Sequence, residues 1–148
     1  MTTKAVTELA ATEQWVTLCI DNDVYGIGVG QVQEVLNVPK ITPVPGAPDY
    51  VIGIVNLRGN IVTVLDARKR FGLMPKQYDQ DSQIIILRIE EQAVGILVDS
   101  VSEVVELPID SIEQAPETGP NSSKKHIRGV YSADGNLIIL INTQGLVR

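Results

Sequence analysis

The segment Gln14–Pro39, QWVTLCIDNDVYGIGVGQVQEVLNVP, returns in altered form as Gln83–Pro108, QIIILRIEEQAVGILVDSVSEVVELP. Each segment opens on an apolar run, passes through a polar turn and returns through a second apolar run. A glycine lies at the same place in both return runs, Gly26 in the first and Gly95 in the second. Two apolar runs joined by a tight polar turn are typical of a β-hairpin. The repeat therefore predicts two copies of one unit, each of which starts with a hairpin.

The match between the copies resumes further along the chain. Residues 53–61, GIVNLRGNI, align with residues 129–137, GVYSADGNL. The shared apolar positions supply a common framework, so positions at which the copies differ are where function is expected to lie. The sharpest difference is Arg58, which aligns with Asp134.

The composition favours strands. Of the 148 residues, 44% are hydrophobic but only 4% are aromatic, so the core must be built from valine, isoleucine and leucine. One copy alone would bury only a thin core, and the two copies are therefore expected to share a hydrophobic seam. Five short twisted strands close most readily as a small barrel, because closure removes exposed edges. The prediction is an all-β fold with few short helices: two intertwined five-stranded β-barrels that arise from an internal duplication, with strand exchange left open.

Turn and helix signals divide the chain further. Residues 1–13 are predicted to be a flexible leader and residues 14–148 one domain, with its copies at about 14–72 and 83–148. Between Val29 and Leu36 the spacing favours a helical turn that grades into strand over a bent strand. The remaining predictions are hairpin turns at Asn22-Asp23, Arg58-Gly59-Asn60 and Glu91-Gln92, a basic helix capped by Asp66 that ends at Gly72, and a mobile loop at Ala115–Lys125.

Catalytic and metal chemistry are not indicated. The single histidine, His126, is interpreted as a solvated loop residue, and the single cysteine, Cys19, as a buried inert thiol. One histidine and one cysteine are too few for a structural zinc site. Gly26, Gly28 and Gly30 do not form the dinucleotide-binding fingerprint. The sequence thus predicts a protein that is not an enzyme, with no catalytic residue, metal or cofactor.

The charge and hydropathy exclude further classes. A formal charge of −6 argues against binding to nucleic acid, which requires a cationic surface. No apolar stretch is long enough for a membrane span, so no direct membrane insertion is expected. The first residues lack the apolar core of a signal peptide, which predicts a cytoplasmic location. Binding to other proteins remains as the expected activity.

Arg58 and Glu34 are the leading candidates for a partner-binding surface. Arginine is a frequent interface anchor, although a solvated turn arginine is an equal alternative for Arg58. Glu34 lies beside Val32 and could form the acidic rim of a groove that accepts an amphipathic helix. The alternative is that Val32 and its counterpart Val101 simply fill cores. The run Arg68-Lys69-Arg70 is interpreted as a solvated helix face, and Trp15 as a core residue.

The chain also resembles the CheW family of chemotaxis coupling proteins, which in turn resembles the regulatory domain of the CheA histidine kinase. The resemblance is carried by residues 32–35 (VQEV), the prolines Pro43 and Pro45, residues 53–59 (GIVNLRG) and the Asp66-x-Arg68 segment. It extends from about Gln14 to Val147, and residues 94–99 (VGILVD) match too.

The resemblance implies SH3-like and OB-like barrels, and an adaptor for a CheA-type kinase regulatory domain and the cytoplasmic hairpin tip of chemoreceptors. It leaves open the output served, swimming, twitching or another, and whether the chain is monomeric or self-associates weakly in arrays. An OB-type ligand-binding or oligonucleotide-binding module is the weaker alternative. The partner-binding residues that it implies are Arg58, Glu34, Val32, Gly53, Val101 and Val104. Gly59 is added to them because the backbone beside Arg58 leaves room there for another chain.

Overall fold

The structure is a computed structural model that describes residues 11–114, 126–133 and 135–146. Eleven strands and one short α-helix, α1 (Ala67–Arg70), are present in these residues. Short 3₁₀ turns lie at Val29–Gln31, Ile109–Ser111 and Thr143–Leu146. The strands are β1 (Thr12–Ile20), β2 (Asp23–Gly28), β3 (Val32–Asn37), β4 (Val51–Leu57), β5 (Asn60–Asp66), β6 (Gln83–Ile89), β7 (Gln92–Val98), β8 (Ser100–Pro108), β9 (Ile112–Gln114), β10 (Ile127–Ala133) and β11 (Asn136–Ile141).

The strands form two sheets in which corresponding strands occur in the same order. The first sheet has the order β8-β1-β2-β11-β10-β9, and the second has the order β3-β6-β7-β5-β4. Strands β1 to β5 of the first copy correspond to β6, β7, β8, β10 and β11 of the second. Each sheet therefore contains the opening hairpin of the other copy, joined by a parallel pairing of β2 with β11 or of β7 with β5. The predicted all-β fold of two intertwined units is confirmed.

Strand β6 shows why the two sheets share one core. Ile84 and Ile86 pack on one side into a cluster within the second sheet, with Val55, Val62 and Val64. Ile85, Leu87 and Ile89 of β6 pack on the other side, because successive side chains of a strand point to opposite faces. There they join a larger cluster between the sheets, formed by Leu18, Ile20, Tyr25, Ile27, Leu65, Ala67, Ile85, Leu87, Ile89, Val94, Ile96, Val98, Ile141 and Leu146.

A third cluster fills the first sheet. It contains Trp15, Leu107 and Leu140, all of which are buried. The interpretation of Trp15 as a core residue is therefore confirmed, because only 2% of this residue is exposed.

Gly53 and Gly129, which begin the aligned segments 53–61 and 129–137, are required for packing. A Cβ atom added to Gly53 would lie 2.2 Å from the carbonyl oxygen of Thr42, and one added to Gly129 would lie 2.5 Å from that of Glu113. Thr42 exchanges two backbone hydrogen bonds with Ile54, of 2.9 and 2.8 Å, where it crosses β4. Gly129 permits the corresponding crossing of β9 over β10. The repeat thus preserves glycine where two backbones meet.

Two hairpin turns begin one residue earlier than predicted. They consist of Asp21-Asn22 and Glu90-Glu91, with φ angles of 58° and 73° in the first and 51° and 68° in the second. Two-residue turns with positive φ at both positions match the right-handed twist of strands. The Glu-Glu turn contains no glycine or asparagine to mark it, which is why its position was wrong in the prediction.

We expect Glu91→Gly to stabilise the protein by about 1 kcal/mol, because glycine adopts the φ of 68° at this position without steric cost. The check is the free energy of unfolding in urea. Gln92→Gly, one residue later and inside β7, is the matched control and should lose about 0.5–1 kcal/mol. A variant Glu91→Gly that is no more stable than the parent chain would refute the assignment of strain to this turn.

Other local predictions had mixed outcomes. The helical turn that grades into strand is confirmed as the 3₁₀ turn before β3. Asp66 caps α1 by accepting hydrogen bonds from the backbone N–H groups of Arg68 and Lys69.

The predicted solvated position of His126 was wrong, because His126 is buried and its ring lies edge-on to Phe71, with the ring centres 5.5 Å apart. Cys19 is only partly buried. The predicted mobile loop 115–125 and most of the predicted leader lie outside the described residues, although Thr12 and Glu13 of that leader belong to β1.

Candidate partner-binding surface

Arg58 occupies an unusual backbone position at the tip of the β4–β5 hairpin. The turn consists of Arg58 and Gly59 alone, with φ angles of 52° and 88°. The predicted inclusion of Asn60 was wrong, because this residue already begins β5. The turn is held by the Gly59 N–H, which donates to Oδ1 of Asn56 at 3.0 Å. Asparagine, aspartate or glycine usually occupies the first position of a two-residue hairpin turn, which Arg58 occupies here. A positive φ costs other residues about 1 kcal/mol.

The structure brings Arg58 and Glu34 together. Nη2 of Arg58 donates to Oε2 of Glu34, and the arginine side chain remains mostly exposed. Glu34 lies in β3 and Arg58 follows β4, the two outer strands of the second sheet. This ion pair therefore joins the two edges of a strongly curved sheet. Because such exposed pairs stabilise by at most about 1 kcal/mol, the fold does not depend on it.

The other residues implied by the resemblance divide into buried and exposed ones. Val32 and Val101 are partly buried against the cluster between the sheets, which supports the alternative that they fill the core. Gly53 is buried below Thr42, whereas Gly59 has open space around it. Val104 is an exposed apolar side chain.

Exposed apolar side chains recur at equivalent positions of the two copies. Val35 and Val104 correspond and are 38% and 56% exposed, and Ile61 and Leu137 correspond and are 62% and 52% exposed. Sequence reasoning missed Ile61 and Leu137, although both follow the Gly-Asn pair of the repeat. These four are half of the large apolar residues exposed in the described part of the chain, since Val44, Met74, Tyr78 and Ile109 are exposed at positions without such a match.

The two surfaces carry different charges. We use the name first face for Glu34, Val35, Arg58 and Ile61, and second face for Glu103, Val104, Glu106 and Leu137. Each is a set of residues at equivalent or adjacent positions of the repeat, and because successive strand residues point to opposite sides, each set extends around its strand. The first face contains an arginine paired with a carboxylate. The described residues of the second face include two exposed carboxylates and no cation; Asp134, which aligns with Arg58, lies outside the described residues. The duplication thus presents exposed apolar side chains at equivalent positions, accompanied by unlike charge.

Arg68 connects the two sheets from within. Its Nε and Nη2 donate to the two carboxylate oxygens of Asp99 at 3.0 and 2.6 Å. Its Nη1 donates to the carbonyl oxygen of Met74 at 3.0 Å and lies 3.2 Å from Oδ1 of Asp21. Asp99 stands where the chain passes from β7 of the second sheet to β8 of the first, and Asp21 belongs to the turn of β1 and β2. Arg68 therefore holds α1 against the first sheet, although α1 directly follows β5 of the second sheet.

The interpretation of Arg68-Lys69-Arg70 as a solvated helix face was wrong for two of its three residues. Arg68 is buried. Arg70 donates from Nε to the carbonyl oxygen of Leu146 at 2.8 Å, and its guanidinium lies 4.2 Å above the Tyr50 ring. Only Lys69 is exposed. The carboxylate partner of Arg68 lies far along the chain, so the local sequence reads as an ordinary basic helix.

The contact between Arg68 and Asp99 makes the free energy of unfolding depend on pH in the acidic range. The Arg68 hydrogen bond lowers the pKa of Asp99 below its ordinary value of 3.8. A carboxylate whose pKa is lower in the folded chain stabilises the fold above its unfolded pKa, and this contribution is lost as the pH falls through the folded value. We expect Asp99→Asn to be less stable than the parent chain at neutral pH, with a difference that closes below about pH 4. Urea unfolding at several pH values checks this, and a difference that widens in acid would contradict it.

The described residues show neither a metal site nor a membrane-spanning helix. They contain no group of three or more histidine, cysteine, aspartate or glutamate side chains that could hold a metal ion. Within the same residues no helix is long and apolar enough to cross a membrane.

Comparisons with known proteins place the chain among chemotaxis proteins. A family model described as CheW-like domain matches residues 14–148. The chain is 30% identical over 135 residues to "Chemotaxis protein CheW" of Klebsiella aerogenes, covering 91% of this chain and 81% of the relative. It is 29% identical over 140 residues to "Chemotaxis protein CheW" of Bacillus subtilis, covering 95% and 90%. The crystal structure of scaffolding protein TtCheW from Thermoanaerobacter tengcongensis matches with a TM-score of 0.83 and 35% identity over 88% of each chain.

Proposed function

Because the chain belongs to the CheW-like family, we propose that it is a non-catalytic adaptor in bacterial chemotaxis. In this role it couples a CheA-type histidine kinase to methyl-accepting chemoreceptors within a signalling array. The kinase is bound through its regulatory domain and the receptor through its cytoplasmic hairpin tip. The protein then acts in the cytoplasm and reaches the membrane only by recruitment to receptors.

Arg58, an exposed arginine at the tip of the β4–β5 hairpin, is the observation that carries this proposal. Its φ of 52° is one that arginine disfavours, and its ion pair with Glu34 is too exposed to compensate by much. Glu90 has nearly the same φ, 51°, in another hairpin turn, so the arginine side chain at this position, which a purely structural turn does not require, is what distinguishes Arg58. An exposed arginine three residues before the exposed Ile61 has the composition of an interface anchor.

The two faces support an adaptor that has more than one partner. Exposed apolar side chains at equivalent positions can receive related surfaces, while the unlike charges decide which surface each face accepts. The first face of one copy can also contact the second face of another copy. Such head-to-tail contacts generate rings or filaments. Weak self-association in arrays is part of the proposal for this reason. Contacts that are individually modest gain strength in an array through avidity.

The alternative functions have less support. Another chemosensory-type system would use the same faces, and no residue described above selects between outputs. An oligonucleotide-binding module requires a basic groove with exposed aromatic rings. The chain carries a formal charge of −6, and its only tryptophan is buried.

Co-purification tests the proposal directly. A tagged copy of the chain is expressed in the cells that encode it, and the captured proteins are identified by mass spectrometry. We expect a histidine kinase with a CheW-like regulatory domain and at least one chemoreceptor. Capture of neither, from cells that demonstrably express both, would refute the assignment as a chemotaxis adaptor.

A further inference from the structure

The two copies of the chain are joined by a connector, residues 74–81, all eight of which are exposed. The connector is held at its start by Arg68, whose Nη1 donates to the carbonyl oxygen of Met74 at 3.0 Å. It is held at its end by a turn in which Asp79 and Ser82 exchange hydrogen bonds of 2.9 and 3.1 Å. The four residues that follow Met74 form no backbone hydrogen bond with the described part of the chain. The connector is therefore a strap that is fixed only near its ends.

Open space lies on both sides of the connector. On one side a cleft of about 700 Å³ extends toward Arg68 and Asp99, and on the other side a cleft of about 560 Å³ extends toward Val51. Residues 76–78 line both clefts. Because these residues border open space on two sides, they make few packing contacts with the two sheets. A protease can therefore reach their backbone without unfolding a strand.

Strand pairing, by contrast, joins the two copies of the chain at four places. Strand β1 of the first copy pairs with β8 of the second, and β3 of the first pairs with β6 of the second. The parallel pairings of β2 with β11 and of β5 with β7 add two further contacts between the copies. Each sheet consequently contains strands that precede the connector and strands that follow it.

The core between the sheets is shared by the copies in the same way. Of the fourteen buried residues in its cluster, six precede the connector and eight follow it. Two contacts from α1 also join the copies, since Arg68 donates to Asp99 and Arg70 donates to the carbonyl oxygen of Leu146. An apolar interface that resembles a domain core cut in half is typical of obligate complexes. The two copies therefore resemble the subunits of a permanent complex, linked in one chain.

We propose that the connector is a site of proteolytic modification, at which the chain is cut with retention of its fold. A trypsin-like protease, which recognises an exposed lysine, adds water across the peptide bond between Lys76 and Gln77. The products are a carboxylate on Lys76 and an amino group on Gln77, and no other bond changes. The residues of the first face all precede this cut, and those of the second face all follow it. Each half of the cut protein therefore carries one face.

Limited digestion of the full chain with trypsin tests whether the connector is a preferred cleavage site. Lys69 is the internal control, because it is exposed like Lys76 but lies in α1, where its carbonyl oxygen accepts from the Gly72 N–H at 3.2 Å. We expect cleavage after Lys76 to be at least about tenfold faster than cleavage after Lys69, as measured by mass spectrometry of the fragments. Cleavage after Lys76 that is no faster than cleavage after Lys69 would overturn the proposal.

A variant with the recognition sequence of a site-specific viral protease inserted after Lys76 tests whether the cut chain keeps its fold. After complete cleavage, we expect both halves to elute together in size-exclusion chromatography at micromolar concentration, with the circular dichroism of the uncut variant. The urea midpoint of the cut protein should fall on dilution, because its unfolding separates two chains, whereas the midpoint of the uncut variant should not change.

Separation of the two halves after cleavage, or loss of the β-sheet signal in circular dichroism, would overturn the proposal. No kinase or receptor enters these measurements, so either result would leave the proposed adaptor function standing.

Discussion

Removal of the Arg68 side chain in Arg68→Ala is expected to lower the free energy of unfolding by about 3 kcal/mol. Arg68 is buried and contacts two carboxylates, and loss of the cation would leave Asp99 and Asp21 close together without compensation. The value is at the lower end for buried ion pairs because Asp99 keeps 25% of its side chain exposed. The melting temperature should fall by about 6–12 °C.

The neighbouring lysine provides the control for this experiment. Lys69→Ala removes an exposed cation from the same helix and should change the free energy of unfolding by less than about 0.5 kcal/mol. The double variant Arg68→Met with Asp99→Leu should recover part of the stability, because an apolar pair has no charge to bury. Equal effects of Arg68→Ala and Lys69→Ala would show that Arg68 does not hold the sheets together.

Replacement of Arg58 is expected to move stability and binding in opposite directions. Arg58→Asn places a residue that tolerates positive φ in the hairpin turn and should stabilise the fold by less than about 1 kcal/mol, because the exposed ion pair with Glu34 is lost at the same time. The same change removes the charged anchor of the first face. Affinity for the partner of this face should fall about 30-fold or more, as is usual for the loss of an anchoring arginine. Urea unfolding and calorimetric titration with the kinase regulatory domain and the receptor tip measure the two effects.

Glu90→Asn is the matched control for Arg58→Asn. Glu90 occupies the same position of another two-residue turn, with a φ of 51°. Its replacement should leave the affinity for either partner unchanged. If Arg58→Asn binds both partners as well as the parent chain, Arg58 does not belong to the contact surface.

Local features of the fold could be predicted from sequence because their signals are local. The hairpins follow from apolar runs that flank polar turns, and the cap of α1 follows from an aspartate placed before a basic run. The duplication was visible as aligned apolar positions, and it pointed to Arg58 because a purely structural turn does not require a cation.

The exchange of hairpins between the sheets could not be predicted in the same way. Strands β1 and β6 both begin apolar hairpins, so either could satisfy the burial requirement of either sheet. The choice depends on contacts between residues far apart in the chain, which include the crossover at Asp99. The Glu90-Glu91 turn was misplaced because tertiary pairing of β6 with β7 sets its register despite unfavourable turn residues.

The candidate site could be predicted only in part for a related reason. Arg58 and Glu34 were identified separately, but their contact depends on the curvature of the second sheet. The burial of Arg68 depends on Asp99, and a basic helix gives no local sign of such a partner. Ile61 and Leu137 are apolar residues at strand starts, and only the structure shows that both are exposed at equivalent positions.

In the proposed function, one chain holds a kinase and a receptor together through unlike surfaces. Analytical ultracentrifugation of the chain with a kinase regulatory domain and a receptor hairpin-tip fragment from the same organism tests it most directly. The expected result is a ternary complex that contains all three components and weakens with Arg58→Asn but not with Glu90→Asn. Binding of neither component, or binding of the two in strict competition, would contradict the account.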